Sequence, residues 1–253
     1  MKIRFLGTGT SQGIPVIGSR HEVCLSSDSK DKRMRSSVLI QWDEYSYVVD
    51  CGPDFRMQML NAGVEFLNGI VFTHFHADHT AGLDDVRAYS QRQGVVEIFA
   101  DKGVAENIKE RFAYIFATKN RYVGAPKVHI NKIDFSSFTL GDKEIQPIEV
   151  MHGNIKIMGF RIDDLVYITD AKHIEKPEFS KLDGVKVLVV NALRIEPHPT
   201  HFNLEEALNF IDKVKPKQAY LTHISHRLGF HKEISAKLPE GVHLAYDGLE
   251  ISL

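Results

Sequence analysis

Residues 73–80 read Thr-His-Phe-His-Ala-Asp-His-Thr, which places His74, His76, Asp78 and His79 within six positions of one another. Imidazole and carboxylate are ligand types that suit zinc and other first-row metals. Upstream lies the short apolar run Asn-Gly-Ile-Val-Phe-Thr, and downstream a helix-like stretch. The cluster is therefore expected on a strand-to-helix loop, where side chains converge on one point instead of lining one helical face. A solvated histidine run would not normally follow a buried-type strand. Four candidates from one loop are too many for a single tetrahedral catalytic metal that keeps an open position. The spacing lets His74 and His76 share one ion while Asp78 and His79 turn toward a second.

Two ions need ligands from elsewhere, and the ends of other strands are the places to look. His152 follows an apolar run ending at Met151, Asp170 follows Leu165–Thr169, and His223 follows Gln218–Thr222. Singly, a strand-end aspartate is often a turn residue and a strand-end histidine often structural. Together with the loop they make a seven-ligand set.

The elements that must position these residues are legible as alternating or apolar runs. Strands are expected at 2–6, 37–42, 45–49, 95–100, 127–131, 143–151, 155–162, 165–169, 185–191, 217–222, 242–246 and 249–252. Helices are expected from Pro53 to about Asn61, where proline suits the first turn, and at 79–92, 103–115, 203–213 and 230–238. Residues 11–35 read as a long polar loop. Strands in two batches with helices between them fit an α/β protein of two packed sheets with helices on the outer faces. No linker or repeat divides the 253 residues, so a single domain over 1–253 is expected.

Composition narrows the class. Hydrophobic residues make up 43% and charged residues 25%, ordinary values for a globular protein with a sizeable core. A formal net charge of -2 gives no whole-chain argument for a nucleic-acid or anionic-membrane partner. No apolar run approaches the ~18 residues of a membrane span, and the N-terminus reads as a first strand. Cys24 and Cys51 alone cannot build a disulfide framework, and the cytoplasm is the simplest placement.

The set His74-x-His76-x-Asp78-His79 resembles the signature of the metallo-β-lactamase-fold superfamily. That resemblance implies a four-layer αββα sandwich of two mixed sheets. It also implies His74, His76 and His152 on one metal, Asp78, His79 and His223 on the other, and Asp170 bridging them. Phe5-Leu6-Gly7-Thr8-Gly9-Thr10, Asp50-Cys51-Gly52-Pro53-Asp54-Phe55-Arg56 and His198-Pro199-Thr200-His201 resemble segments of its phosphodiesterase branch. Within it the chain is most similar to the phosphoribosyl 1,2-cyclic phosphate phosphodiesterase family. That family carries a structural zinc on an early cysteine loop and a late histidine. Here Ser19, His21 and Cys24 occupy the loop and His226 follows His223. Serine is a poor zinc ligand, so His21, Cys24 and His226 are candidates for a second metal site, with a site lost to hydrogen bonds as the alternative.

The expected chemistry is hydrolysis of a small cyclic or diester phosphate by a metal-bound hydroxide, with two divalent ions, zinc first and manganese the alternative. Asp78 would orient the nucleophile. By resemblance His201 contacts phosphate or protonates the leaving group, with His198 the weaker candidate and expected at solvent. Lys30–Arg35, Arg56 and Arg87 are candidate phosphate contacts, more simply read as solvated charges. His129, His173, His231 and His243 show no partner pattern. Competing readings are an RNA-processing nuclease resembling tRNA 3′-endonuclease Z, disfavoured by the acidic balance, and a non-catalytic metal-binding protein of the same fold. A homodimer stays open.

Overall fold

Strand residues here alternate between two apolar environments, not between core and water. In β2 (Ser37–Trp42) Val38 and Ile40 enter one hydrophobic cluster while Leu39 enters another. In β11 (Val187–Asn191) Val187 and Val189 face one cluster, Leu188 and Val190 a third. A period of two with apolar groups on both faces means that both faces of the sheet are covered.

The computed structural model describes residues 1–253, and its strands form two seven-stranded sheets. The first takes β1 (Lys2–Gly7), β2, β3 (Tyr45–Val49), β4 (Gly69–Val71), β5 (Val96–Ala100), β6 (Val128–Lys132) and the last strand β14 (Glu250–Ser252), in the order β14-β1-β2-β3-β4-β5-β6. The second takes β7 (Phe138–Leu140), β8 (Lys143–His152), β9 (Ile155–Ile162), β10 (Leu165–Tyr167), β11, β12 (Gln218–Thr222) and β13 (Val242–Leu244), in the order β13-β12-β11-β10-β9-β8-β7. Each sheet is mixed: β14 to β3 and β7 to β10 pair antiparallel, β3 to β6 and β10 to β13 parallel.

Phe5, Val49 and Val71 of the first sheet meet Phe160, Tyr167 and Val189 of the second in the central core. Helices Phe55–Ala62 and Lys102–Arg111 close the outer face of the first sheet through Phe55, Met59, Val104 and Ile108. Helix Leu204–Val214 closes the second through Ala207, Phe210 and Ile211. This is the expected αββα sandwich. No helix is long and apolar enough to cross a membrane.

The expected helix at 79–92 is broken into Ala77–Thr80, a 3-10 turn Leu83–Val86 and Arg87–Gln93. The cause is tertiary. Cys51 N–H donates to the His79 carbonyl and Gly82 N–H to the Cys51 carbonyl, so the chain here bonds to the 50–52 turn instead of to itself. Only glycine permits that approach: a Cβ on Gly82 would lie 2.1 Å from the Gly52 carbonyl oxygen, and one on Gly52 2.0 Å from that of Asp78. The helix expected from Pro53 begins at Phe55 with Asp54 at its cap. The expected loop 11–35 contains the helical turn Glu22–Leu25 and the 3-10 turn Ser29–Asp31, while β7 and the turn Lys176–Leu182 had no sequence signal.

Candidate metal centre

Helix Leu204–Val214 begins at Asn203, whose side chain accepts Glu206 N–H while the Glu206 carboxylate accepts Asn203 N–H, a reciprocal cap worth about 1 kcal/mol. The cap anchors the segment that carries His201. The remaining groups sit where strands stop. His74, His76, Asp78 and His79 follow β4, His152 ends β8, Asp170 lies beyond β10, and His223 follows β12.

All seven meet between the two sheets. The donor atoms of His74, His76 and His152 lie within 4.8 Å of one another, and so do those of Asp78, His79 and His223. Asp170 joins the two sets, grouping with His74 and His79 on one side and with His152 and His201 on the other. Its Oδ1 is 3.1 Å from His223 Nε2 and its Oδ2 3.3 Å from His79 Nε2. Asp50, Asp170 and His223 all leave their strands with positive φ, 65°, 55° and 53°. For residues other than glycine that conformation costs about 1–2 kcal/mol.

A layer of acceptors behind the rings decides which nitrogen faces inward. Asp50 is fully buried; its Oδ2 accepts from His79 Nδ1 at 2.7 Å and from Thr73 Oγ1 at 2.8 Å. Because that threonine proton is committed to Asp50, Thr73 Oγ1 accepts from His74 Nδ1 at 3.0 Å. The Thr200 carbonyl accepts from His152 Nδ1 at 2.9 Å. In all three rings Nδ1 is held by its acceptor, which turns Nε2 toward the centre, the arrangement that orients metal-ligating histidines. The sequence named Asp50 only within a segment resembling the phosphodiesterase branch, with no role at the site. The signal that found Asp170, a carboxylate where a strand stops, was present there too.

Among the buried atoms left without a hydrogen bond are His79 Nε2 and both ring nitrogens of His223, although carboxylate oxygens of Asp78 and Asp170 lie 3.1 to 3.8 Å away. Each unpaired buried group costs about 1–3 kcal/mol. Lone pairs and carboxylates directed at shared points fit divalent cations, and five histidines with two aspartates fit zinc well. Burial opposes a charge on His79, but Asp50, Asp170 and Asp78 outweigh it and hold its pKa well above the usual histidine value. Burial likewise opposes ionisation of Asp170, yet His223 and His79 keep it well below the carboxylate range.

His201 stands at the rim with its Nε2 2.9 Å from Asp170 Oδ1 and its ring stacked on His223 at 5.0 Å. Burial pushes its pKa down to about 4, against the pull of Asp170, so the ring is neutral near pH 7. A carboxylate only accepts, so Nε2 holds the proton. His198 is not the solvent-exposed group expected. It is half-buried, with Nδ1 3.1 Å from His201 Nδ1, because Thr200 N–H donates to that nitrogen and folds the ring back.

The structure does not gather His21, Cys24 and His226 into a comparable set. Cys24 Sγ accepts Val16 N–H, His21 Nδ1 accepts Val23 N–H as a helix cap, and Ser19 Oγ accepts His21 N–H. Only the His21 and His226 rings meet, edge to face at 4.8 Å. His21 and Cys24 make local hydrogen bonds, while His226 Nδ1 is buried without a partner. The basic loop also reads differently. Arg33 is buried and donates to Thr8 Oγ1, the Ala245 carbonyl and His231 Nδ1, so His231 has a partner after all. Arg35 pairs with Asp54 and Arg87 with Asp84.

Comparison with known proteins agrees with this geometry. The family model for the beta-lactamase superfamily domain matches residues 45–224. The crystal structure of a diphosphatase from the PhnP family is 38% identical with a TM-score of 0.93, over 100% of this chain and 97% of that one. An octanoyltransferase of Porphyromonas gingivalis is 36% identical over 253 residues, 99% of this chain and 51% of that one. Ribonuclease Z of Borrelia recurrentis is 25% identical over 186 residues, 71% of this chain and 54% of that one. The chain thus spans about half the length of these two curated relatives.

Proposed function

The chain belongs to the metallo-β-lactamase-fold superfamily, in a branch like that of the PhnP-family diphosphatase, and from that premise we propose that it is a dinuclear metal-dependent phosphodiesterase acting on a small cyclic or diester phosphate. The observation that carries the reading is the pair of inward-facing nitrogens, His79 Nε2 and His223 Nε2, left without a hydrogen bond beside Asp170 and Asp78. His74, His76 and His152 would hold one ion, Asp78, His79 and His223 the other, and Asp170 both. Bound divalent ions supply Lewis acidity toward phosphoryl oxygens and a nucleophile at neutral pH.

The chain's own groups do the rest. Asp78, more exposed than Asp170, presents a carboxylate at the opening of the site, where it orients an incoming water. His201 Nε2–H, held against Asp170 Oδ1 here, would turn to donate a hydrogen bond to the oxygen that departs from phosphorus once Asp170 is engaged with metal. Such a donor matters most when the departing oxygen is a poorly stabilised alkoxide.

A second reading, hydrolysis of a phosphoanhydride, is favoured by the likeness to a diphosphatase. There the leaving group is already a stable phosphate and His201 matters less. Octanoyl transfer is not carried over, since about half of the Porphyromonas chain lies outside the match. The test is hydrolysis of bis(p-nitrophenyl) phosphate, a ribose cyclic phosphate, a nucleoside diphosphate ester and precursor tRNA, with zinc or manganese and with or without chelator. Chelator-sensitive turnover of the first two is expected. Turnover of only the diphosphate ester, or only the tRNA, would replace the reading with the corresponding alternative. His201→Ala should keep the metal and lower kcat on the cyclic phosphate by ~10²–10³-fold, the loss typical of one oxyanion donor. A silent His201→Ala would remove that role.

A further inference from the structure

Thr200 touches both parts of this chemistry through different atoms. Its carbonyl oxygen accepts from His152 Nδ1 at 2.9 Å, which leaves His152 Nε2 turned toward the centre. Its hydroxyl oxygen lies 2.9 Å from His201 Nδ1 and 3.2 Å from His198 Nδ1. Those two ring nitrogens are 3.1 Å apart. His201 Nε2 donates to Asp170 Oδ1, which leaves Nδ1 as the nitrogen that faces the Thr200 hydroxyl. His198 Nδ1 accepts Thr200 N–H at 3.3 Å and is a lone pair. Two lone pairs at that distance repel, and the one hydroxyl proton of Thr200 lies where both can accept it. The side chain has little freedom to leave. Its methyl group packs over Gly153, where a Cβ would fall 2.9 Å from Thr200 Cγ2.

We propose that Thr200 is the positioning residue of the site, its hydroxyl fixing His201 with Nδ1 as acceptor and Nε2–H toward the departing oxygen, its carbonyl fixing His152. The inference rests on the hydrolase reading for its consequence in turnover, but not for the geometry itself. Thr200→Val removes the hydroxyl while keeping shape and carbonyl. His201 and His198 then face each other with nothing between them, and one ring must turn or change tautomer. The carbonyl to His152 is untouched, so metal binding is spared. Acidic and basic behaviour of the rings is not invoked; only which nitrogen carries the proton changes.

The experiment has two readouts on zinc-loaded protein. Long-range ¹H–¹⁵N correlation spectra of the histidine rings should show His201 as a single Nε2–H tautomer in the parent and in Thr200→Ser. Thr200→Val, and Thr200→Ala should the valine not fold, should show mixed tautomers at unchanged zinc content. In turnover, Thr200→Val should lower kcat about 10²-fold on a diester with an alkoxide leaving group and much less on bis(p-nitrophenyl) phosphate, with Thr200→Ser restoring the parent pattern. An unchanged His201 tautomer in Thr200→Val and Thr200→Ala would overturn the proposal, and so would equal losses on both esters. A parent that hydrolyses neither ester defeats the phosphodiesterase reading instead, and the tautomer spectra still decide Thr200.

Discussion

Around Arg33 the protein settles its buried polar groups by itself. The guanidinium donates to Thr8 Oγ1, the Ala245 carbonyl and His231 Nδ1, while Asp247 accepts from Thr8 N–H, Thr8 Oγ1–H and Met34 N–H, and Asp31 accepts His231 N–H. None of Arg33, Asp31, His231 and Asp247 contributes an unpaired buried atom. Around Asp170 the same residue types are equally buried, yet nitrogens of His79 and His223 go unbonded beside carboxylates. Both clusters are rich in histidine and aspartate. What separates structure from function here is satisfaction, not composition, since a buried polar network kept only for stability is normally closed. The group around His21 and Cys24 falls between the two, with His21 and Cys24 hydrogen-bonded locally and one nitrogen of His226 unpaired.

The sharpest way to test that division is to remove Asp170. Asp170→Ala should abolish metal binding and turnover together, losing more than the ~10–100-fold that changes behind a ligand produce. With its negative charge gone the fold should persist, because no backbone group depends on that carboxylate. Metal content by atomic emission and a thermal melt would show it, and retained metal would break the comparison. The opposite outcome is expected of Arg33→Met. Stability should fall by about 2–3 kcal/mol as several buried acceptors lose their donor, with metal content and kcat per folded molecule unchanged. Denaturant unfolding and activity measured on one preparation decide it.

Asp50 lies on the border between the clusters, hydrogen-bonded yet pointing a ring at the centre. Asp50→Asn should weaken metal affinity by ~10–100-fold without unfolding the protein, as read by competition with a chelator. The smallest effect is one of pH. Burial and the neighbouring Arg33 push His231 down to about 4, below the ~6.5 of an unfolded chain. Between those values the unfolded chain binds more protons, so this group makes stability rise with pH. Burial raises Asp247 to about 6, above its unfolded ~3.9, and it makes stability fall over nearly the same window. The two oppose each other. His231→Asn should therefore add a decline in stability from about pH 4 to 6 relative to the parent, and equal slopes in the two proteins would contradict the assignment.

The legibility of this molecule divided along the same line. His74 to His79 could be read because they share one loop, and His152, Asp170 and His223 because each stands where an apolar run stops. Strand alternation gave both sheets for the same local reason. Thr200 was missed as a partner because it meets His152 across 48 positions and nothing local marks such a contact, whereas Asp50, 29 positions from His79, carried the strand-end signal without its partner being readable. The break at Gly82 was invisible for the same reason, since it exists only against Gly52.

Asp170 and His223 carry their side chains on backbone that glycine would occupy more easily. A variant library screened only for heat resistance would experience these positions as faults to be repaired. Glycine should be enriched there among the survivors, and the most heat-resistant proteins would be the least active. Each of the two is thus a place where persistence and activity are selected in opposite directions, and an ancestor or an engineered scaffold that had lost its chemistry would be expected to drift there first.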